Sequence, residues 1–172
     1  SFENFTVFLE VPLTQALVGG ELQVGFMGCT PAISANLQGA ELIIVGSLSK
    51  TLGQPFLVAS KDITQVSQLK GKRIGIGRFG DSTDFMTRYI LKSAGLAPEK
   101  DVSFHQFAGG SAIRIQALAQ GAIDATTTTF ADMVVAKRMG FNVLLDLSKS
   151  TLEVLNNDVV TTGLFVRSSR ET

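Results

Sequence analysis

Gln116-Ala117-Leu118-Ala119-Gln120-Gly121-Ala122-Ile123-Asp124-Ala125 echoes, 101 positions later, an earlier stretch of the same chain, Gln15-Ala16-Leu17-Val18-Gly19-Gly20-Glu21-Leu22-Gln23-Val24. Gln, Ala, Leu and Gly coincide, and Leu22 with Ile123 and Val24 with Ala125 match in kind. Physically, each copy is a helix whose apolar face runs into a glycine stop, followed at once by a buried strand. A new helix begins shortly after the strand in both. The echo predicts two lobes of like construction, facing each other.

Working outward, short apolar runs alternate with helix-sized segments. Strands are expected over 5–9, 22–26, 42–45, 56–59, 73–77, 102–105, 123–127, 143–145 and 162–166. Helices are expected over 13–18, 31–38, 83–94, 112–120 and 130–139. Thr30-Pro31 reads as N-cap then first helical residue, and Gly39, Gly95, Gly121 and Gly140 stand where helices should stop. This alternation implies a parallel-rich α/β fold, and with the echo two lobes, each a sheet flanked by helices. Phe56-Leu57-Val58-Ala59-Ser60-Lys61-Asp62-Ile63 is a strand running into a charged turn, and Thr161-Thr162-Gly163-Leu164-Phe165-Val166 is a strand returning to the first lobe. The expected division is lobe I over 1–58 with 164–172, lobe II over 59–163, and a two-strand hinge near 56–62 and 161–166. Hinges between α/β lobes frame a ligand cleft.

Composition bounds the function. Among 172 residues, fifteen Lys and Arg balance fifteen Asp and Glu, so nothing suggests a nucleic-acid footprint, which needs a basic excess. Apolar residues at 45% against 17% charged supply a core, yet no apolar run reaches the roughly 18 residues of a membrane span. One cysteine, Cys29, makes neither an internal disulfide nor a metal site. Residues 1–49 hold Glu3, Glu10, Glu21 and Glu41 but no Lys or Arg, unlike the basic start of a secretory precursor. The chain reads as mature or trimmed.

Asp62-Ile63, followed by Leu69-Lys70-Gly71-Lys72-Arg73-Ile74-Gly75-Ile76, resembles a segment of the substrate-binding proteins of ABC importers, in particular the nitrate/sulfonate/taurine and thiamine-precursor group. The two echoing stretches, Leu91-Lys92-Ser93-Ala94-Gly95-Leu96 and Asp146-Leu147-Ser148 fit the same pattern in order. The resemblance implies an α/β fold of two periplasmic-binding-protein-like (type II) lobes with the ligand cleft at the hinge, in a monomeric, extracytoplasmic component, periplasmic or membrane-attached, with a small-molecule ligand, a membrane permease as partner and no cofactor. It also implies a strand and helix before the first residue and helices after the last, so lobe I is expected to be incomplete.

In open α/β sheets, ligands sit beyond the carboxyl ends of strands, against helix N-termini whose free N–H groups suit an oxyanion. Four such edges are present: Gly28-Cys29-Thr30, Phe79-Gly80-Asp81-Ser82-Thr83, Gly109-Gly110-Ser111 and Thr127-Thr128-Thr129. The candidate ligand contacts are Gly28, Cys29, Thr30, Phe79, Gly80, Asp81, Ser82, Thr83, Gly110, Ser111, Thr128 and Thr129. Each has a structural alternative. Ser82, Thr83 and Ser111 serve as N-caps, Asp81 and Asp84 as caps that would repel an anion, and Cys29 as a small buried hydrophobe. The nearest cations, Arg78 and Arg114, read as solvated surface. Phe26, Phe79, Phe107 and Phe130 fall near strand ends, where they either stack on a flat ligand or pack the core.

Enzymatic readings are thin. Gly75-Ile76-Gly77-Arg78-Phe79-Gly80 satisfies GxGxxG, but Gly75 falls inside a strand and Asp81 and Asp84 would crowd a pyrophosphate. The only histidine, His105, lies in an alternating strand and reads as structural. There is no nucleophile elbow, P-loop or metal-ligand spacing. The function that the resemblance implies is an importer's binding component that takes a small organic or inorganic anion, sulfonate- or nitrate-like, between two lobes. The alternatives are a pyrimidine-precursor binding protein or synthase-like enzyme of the same fold, or the ligand-sensing domain of a regulator.

Overall fold

The computed structural model describes residues 10–49, 54–149 and 162–167. In order these form α1 (Glu10–Gly19), β1 (Val24–Gly28), α2 (Cys29–Leu37), β2 (Leu42–Ser49), β3 (Phe56–Ala59), β4 (Lys72–Ile76), α3 (Ser82–Ser93), β5 (Val102–Gln106), α4 (Ser111–Ala119), β6 (Ala125–Thr128), α5 (Phe130–Arg138), β7 (Asn142–Asp146) and β8 (Thr162–Arg167). The strand expected over 5–9 lies outside the described residues.

The sequence echo is structural. The starts of α1, β1 and α2 recur at α4, β6 and α5, each 101 positions on. The joints recur as well. Gly20 N–H donates to Leu17 O at 3.1 Å and Glu21 N–H to Ala16 O at 2.9 Å; Gly121 donates to Leu118 and Ala122 to Ala117 at 3.1 and 2.9 Å. Both glycines stand at positive φ, +79° and +69°, which closes the helix's last carbonyls at a cost other residues would feel. The second joint matches too, with Ala40 N–H on Ala35 O and Phe141 N–H on Ala136 O, both at 3.0 Å.

The chain divides into two units, Ser1–Lys50 with Val160–Thr172, and Thr51–Val159. The first holds a three-stranded sheet in the order β1-β8-β2, the second a five-stranded sheet in the order β5-β4-β6-β3-β7. In the second, β4 runs parallel to β5 and β6, while β3 is antiparallel to β6 and β7. In the first, β8 is antiparallel to both neighbours. Each sheet thus has one reversed strand, and it is the first strand after the chain passes from one unit to the other. The stretch 56–62, where one hinge strand was expected, contributes β3 to the five-stranded sheet. Phe56–Ala59 is fully buried and hydrogen-bonded on both sides, so it is an interior strand of the second unit.

In the second unit Leu57, Ala59, Ile74 and Ala125 pack with Ile90 and Leu91 of α3, while Val58 and Ile123 pack with Ile115 and Leu118 of α4 and Ala136 of α5. The core of the first unit joins Leu13 and Leu17 of α1 to Met27, Leu42 and Phe165. Val24, Phe26, Ile43, Val45 and Leu164 of its sheet stay well exposed.

The register of β4 on β6, with Ile74 opposite Ala125 and Gly75 opposite Thr126, is held by a clip. Arg73 Nε and Nη2 donate to Asp124 at 3.0 and 2.9 Å, Arg73 N–H donates to the same carboxylate at 2.8 Å, and Asp124 N–H donates to Arg73 O at 2.8 Å. The hydrogen bonds from Arg73 hold the Asp124 carboxyl below its ordinary value of 3.8. A depressed folded pKa contributes stability that is present above the unfolded value and lost as the pH falls through the folded one. Asp124→Asn is therefore expected to cost about 1 kcal/mol at pH 7, the upper range for a partly exposed ion pair. Urea unfolding of the variant and the parent should converge as the pH drops below about 4. A difference that persists unchanged at pH 2.5 would contradict this assignment.

Candidate functional site

Beyond the carboxyl ends of β4 and β6 lie the first turns of α3 and α5, and Ser111 at the start of α4 is joined to Asp132 of α5. The buried cation of α4 is Arg114. The sequence reading placed it on solvated surface; it is 1% exposed. Its Nε donates to Thr126 Oγ1 at 3.0 Å, and Nη2 donates to Thr127 O at 3.3 Å and to Gln54 Oε1. Its stem crosses β4 over Gly75, where an added Cβ would meet Ile123 Cδ1 at 2.5 Å and Arg114 Cδ at 3.5 Å. Gly75 thus serves side-chain passage in mid-strand rather than a dinucleotide turn.

All of Arg114's acceptors are neutral. Among the described residues no carboxylate forms an ion pair with it. Burial pushes the guanidinium pKa down, and the more distant Asp81 and Asp132 pull it partly back. Guanidinium stays charged throughout. A buried cation held only by neutral oxygens carries a desolvation penalty that an arriving anion relieves. Among the described residues three buried hydroxyls have no hydrogen-bond partner: Thr128 Oγ1, and Thr127 Oγ1 and Thr87 Oγ1, of which Thr127 faces the α3 side of the sheet with Leu57 and Ala125. Strand alternation puts Thr128 on the same face of β6 as Thr126, the face Arg114 occupies.

The side chains at the three helix starts are engaged largely with their own neighbours. Asp81 caps α3, accepting from Thr83 N–H at 2.9 Å, Asp84 N–H at 3.0 Å, Arg78 N–H at 2.8 Å and Thr83 Oγ1 at 2.6 Å. Gly77 N–H donates to Thr83 Oγ1 at 2.7 Å and Gly80 N–H to Asp84 at 2.9 Å. Asp84 is paired with Arg88 at 2.6 Å, and Arg88 also reaches Glu99 at 2.7 Å and lies 4.6 Å over the Phe104 ring. The candidates Phe79, Gly80, Asp81, Ser82 and Thr83 thus form a largely self-satisfied loop. Phe79 is its exposed part, 49% open with its ring edge-on to Phe104. At α4, Gly110 is the N-cap and offers no side chain, while Ser111 Oγ donates to Asp132. Thr129 caps α5, accepting from Asp132 N–H at 3.3 Å and donating to its carboxylate at 3.2 Å.

The Gly28-Cys29-Thr30 edge belongs to the first unit. There Gly28 is the N-cap, so Thr30-Pro31 lies inside α2 rather than opening it. Proline is tolerated in that turn because the N–H it lacks would be unpaired anyway. Cys29 packs into the apolar core. Phe130 is two-thirds exposed and Phe107 packs beside α4 and α5. His105 is exposed on the edge strand β5. Among the described residues no group of His, Cys, Asp or Glu is placed to hold a metal, and no helix is long and apolar enough to cross a membrane.

The architecture is that of the periplasmic-binding-protein-like α/β class. The alkanesulfonate-binding protein SsuA from Xanthomonas axonopodis pv. citri, solved with MOPS, superposes with a TM-score of 0.69 at 24% identity, over 92% of this chain and 52% of its own. The aliphatic sulphonate binding protein SsuA from Escherichia coli gives 0.66 at 25%, over 92% and 52%. PhnD1 from Prochlorococcus marinus, solved with methylphosphonate, gives 0.67 at 15%, over 94% and 62%. The chain therefore spans about half the length of the two sulfonate-binding proteins. No protein of curated function matches it. Residues 11–156 match the family described as ABC transporter, phosphonate, periplasmic substrate-binding protein, and the chain belongs to that family.

Four acceptor contacts on Asp81 make it the structural keystone of the α3 loop. Asp81→Ala is expected to lower stability by about 1–2 kcal/mol, the cost of a lost N-cap. Equal urea midpoints for the variant and the parent would show that the cap is dispensable.

Proposed function

We propose that this chain is the anion-recognising part of an extracytoplasmic binding component of an ABC importer, and that its ligand is a small organic phosphonate or sulfonate. The observation that carries the reading is the buried Arg114 guanidinium, which among the described residues pairs with no carboxylate and lies on the same face of β6 as the orphan Thr128 hydroxyl. Guanidinium is the side chain best matched to tetrahedral oxyanions, because its planar fork donates two parallel hydrogen bonds. A single cation with Asp81 and Asp132 acting on it suits a head group of low charge rather than a polyphosphate. The half-exposed ring of Phe79, fixed by Phe104 and by a 2.9 Å bond from its N–H to Gln106, supplies an apolar surface for the organic part. A membrane permease is the partner to which such a component delivers its ligand. Family membership and the superposition on sulfonate and phosphonate binders support the same class.

The test is thermal unfolding of the chain with methylphosphonate, methanesulfonate, taurine, nitrate and a neutral pyrimidine. A ligand present at about 100 times its dissociation constant stabilises the native state by about 2.7 kcal/mol, a rise of several degrees. A saturable shift confined to the phosphonate or to the sulfonates is expected, and it names the head group. A shift with the pyrimidine alone, or with no compound, contradicts the proposal.

A further inference from the structure

The two copies of the α–β–α–β repeat can be compared position by position, and they diverge in chemistry where their backbones agree. Arg114 stands at the place of Leu13, Thr126-Thr127-Thr128 at the place of Gly25-Phe26-Met27, and Asp132 at the place of Pro31. In the first unit Leu13 is 7% exposed and packs with Leu17 and Met27. Leucine therefore satisfies this backbone at that position. In the second unit the same place holds a charge, 1% exposed, and the adjoining strand presents hydroxyls, two of them with no partner. The fold requires neither.

Building on the binding reading above, we infer that anion recognition resides in the second copy alone and that Arg114 is its specificity-determining residue, while the matching edge of the first unit, Gly28-Cys29-Thr30, takes no anion head. That edge lacks the means. Residues 10–49 hold no Lys or Arg, the Cys29 side chain is committed to the core, and Pro31 removes one of the few N–H groups a helix start could offer. Arg114 also opposes stability, because a buried ion bonded only to neutral groups is often replaced without loss by an apolar residue of similar volume. Arg114→Leu restores in the second copy what the first already has. It should leave the fold intact and remove the response to anions.

The experiment is a calorimetric titration of the parent chain, Arg114→Leu, Arg114→Lys and Thr30→Val with methylphosphonate and methanesulfonate, alongside unfolding without ligand. Arg114→Leu is expected to unfold at or above the parent's midpoint and to lose about 100-fold or more in affinity, as for a truncated partner of a buried charge pair. Arg114→Lys, which keeps the charge but not the fork, should fall between, and Thr30→Val should stay within about twofold of the parent. If the parent binds and Arg114→Leu binds as well, the placement of the anion is wrong while the function stands. An Arg114→Leu chain that does not fold shows the arginine to be structural and overturns the inference, as does a comparable loss in Thr30→Val. A parent chain that binds neither probe overturns the functional reading and this inference with it.

Discussion

The parallel register of β4 on β6 is the constraint on which the second unit depends, and the Arg73–Asp124 clip holds it at the amino end of both strands. A slip of one residue would send every side chain of β6 to the opposite face. Thr126 would turn away from Arg114, Ala125 would leave the α3 core, and Gly75 would no longer lie under the arginine stem. The clip is made of surface groups, yet it decides what stands at the far end of the strands, where α3, α4 and α5 begin. Local electrostatics at one end of a sheet thus set up the chemistry at the other.

At that far end the structure keeps a charge where its own repeat shows leucine to be sufficient. Buried polar groups ordinarily find partners, and an orphan hydroxyl costs roughly 1–3 kcal/mol. Thr127, Thr128 and Thr87 all lack one, in a region where the loop from Gly77 to Asp84 satisfies nearly all its own amides. Unsatisfied and over-satisfied groups therefore lie side by side. The satisfied loop is rigid scaffold, with Asp81 as its cap and Arg88 tying Asp84 to Glu99. In the proposed reading Arg114 and Thr128, which share one face of β6, are the groups that gain from a ligand.

Much of the fold was legible because glycine stops punctuate it. Gly39, Gly95, Gly121 and Gly140 all occupy positive φ just past helices, and strand and helix positions follow within a few residues. Strand direction was not legible. The FLVA run of β3 reads the same whether parallel or antiparallel, and its burial between β6 and β7 depends on residues far along the chain. The candidate site was half legible. Thr128, Thr129 and Ser111 stand out as hydroxyls at helix starts, but Arg114 reads as surface because arginine usually is. The signal that would have found it was present: it lies one turn from Ser111 and Leu118 on the apolar face, opposite Leu13 in the echo. Gln54 and Asp132 carry no local signal, since their roles arise only when β3 and α5 are packed.

The account is tested most directly by the side-chain resonance of Arg114 itself. In a nitrogen-15 spectrum of the labelled chain the Arg114 Nε–H should exchange slowly with solvent, as befits a donor bonded to Thr126 inside the sheet. Titration with methylphosphonate and methanesulfonate should move that signal saturably, with the midpoint at the dissociation constant measured by heat. If one of the anions binds while the Arg114 signal stays fixed, or if the signal exchanges as fast as those of the surface arginines, the buried guanidinium is not the anion's seat.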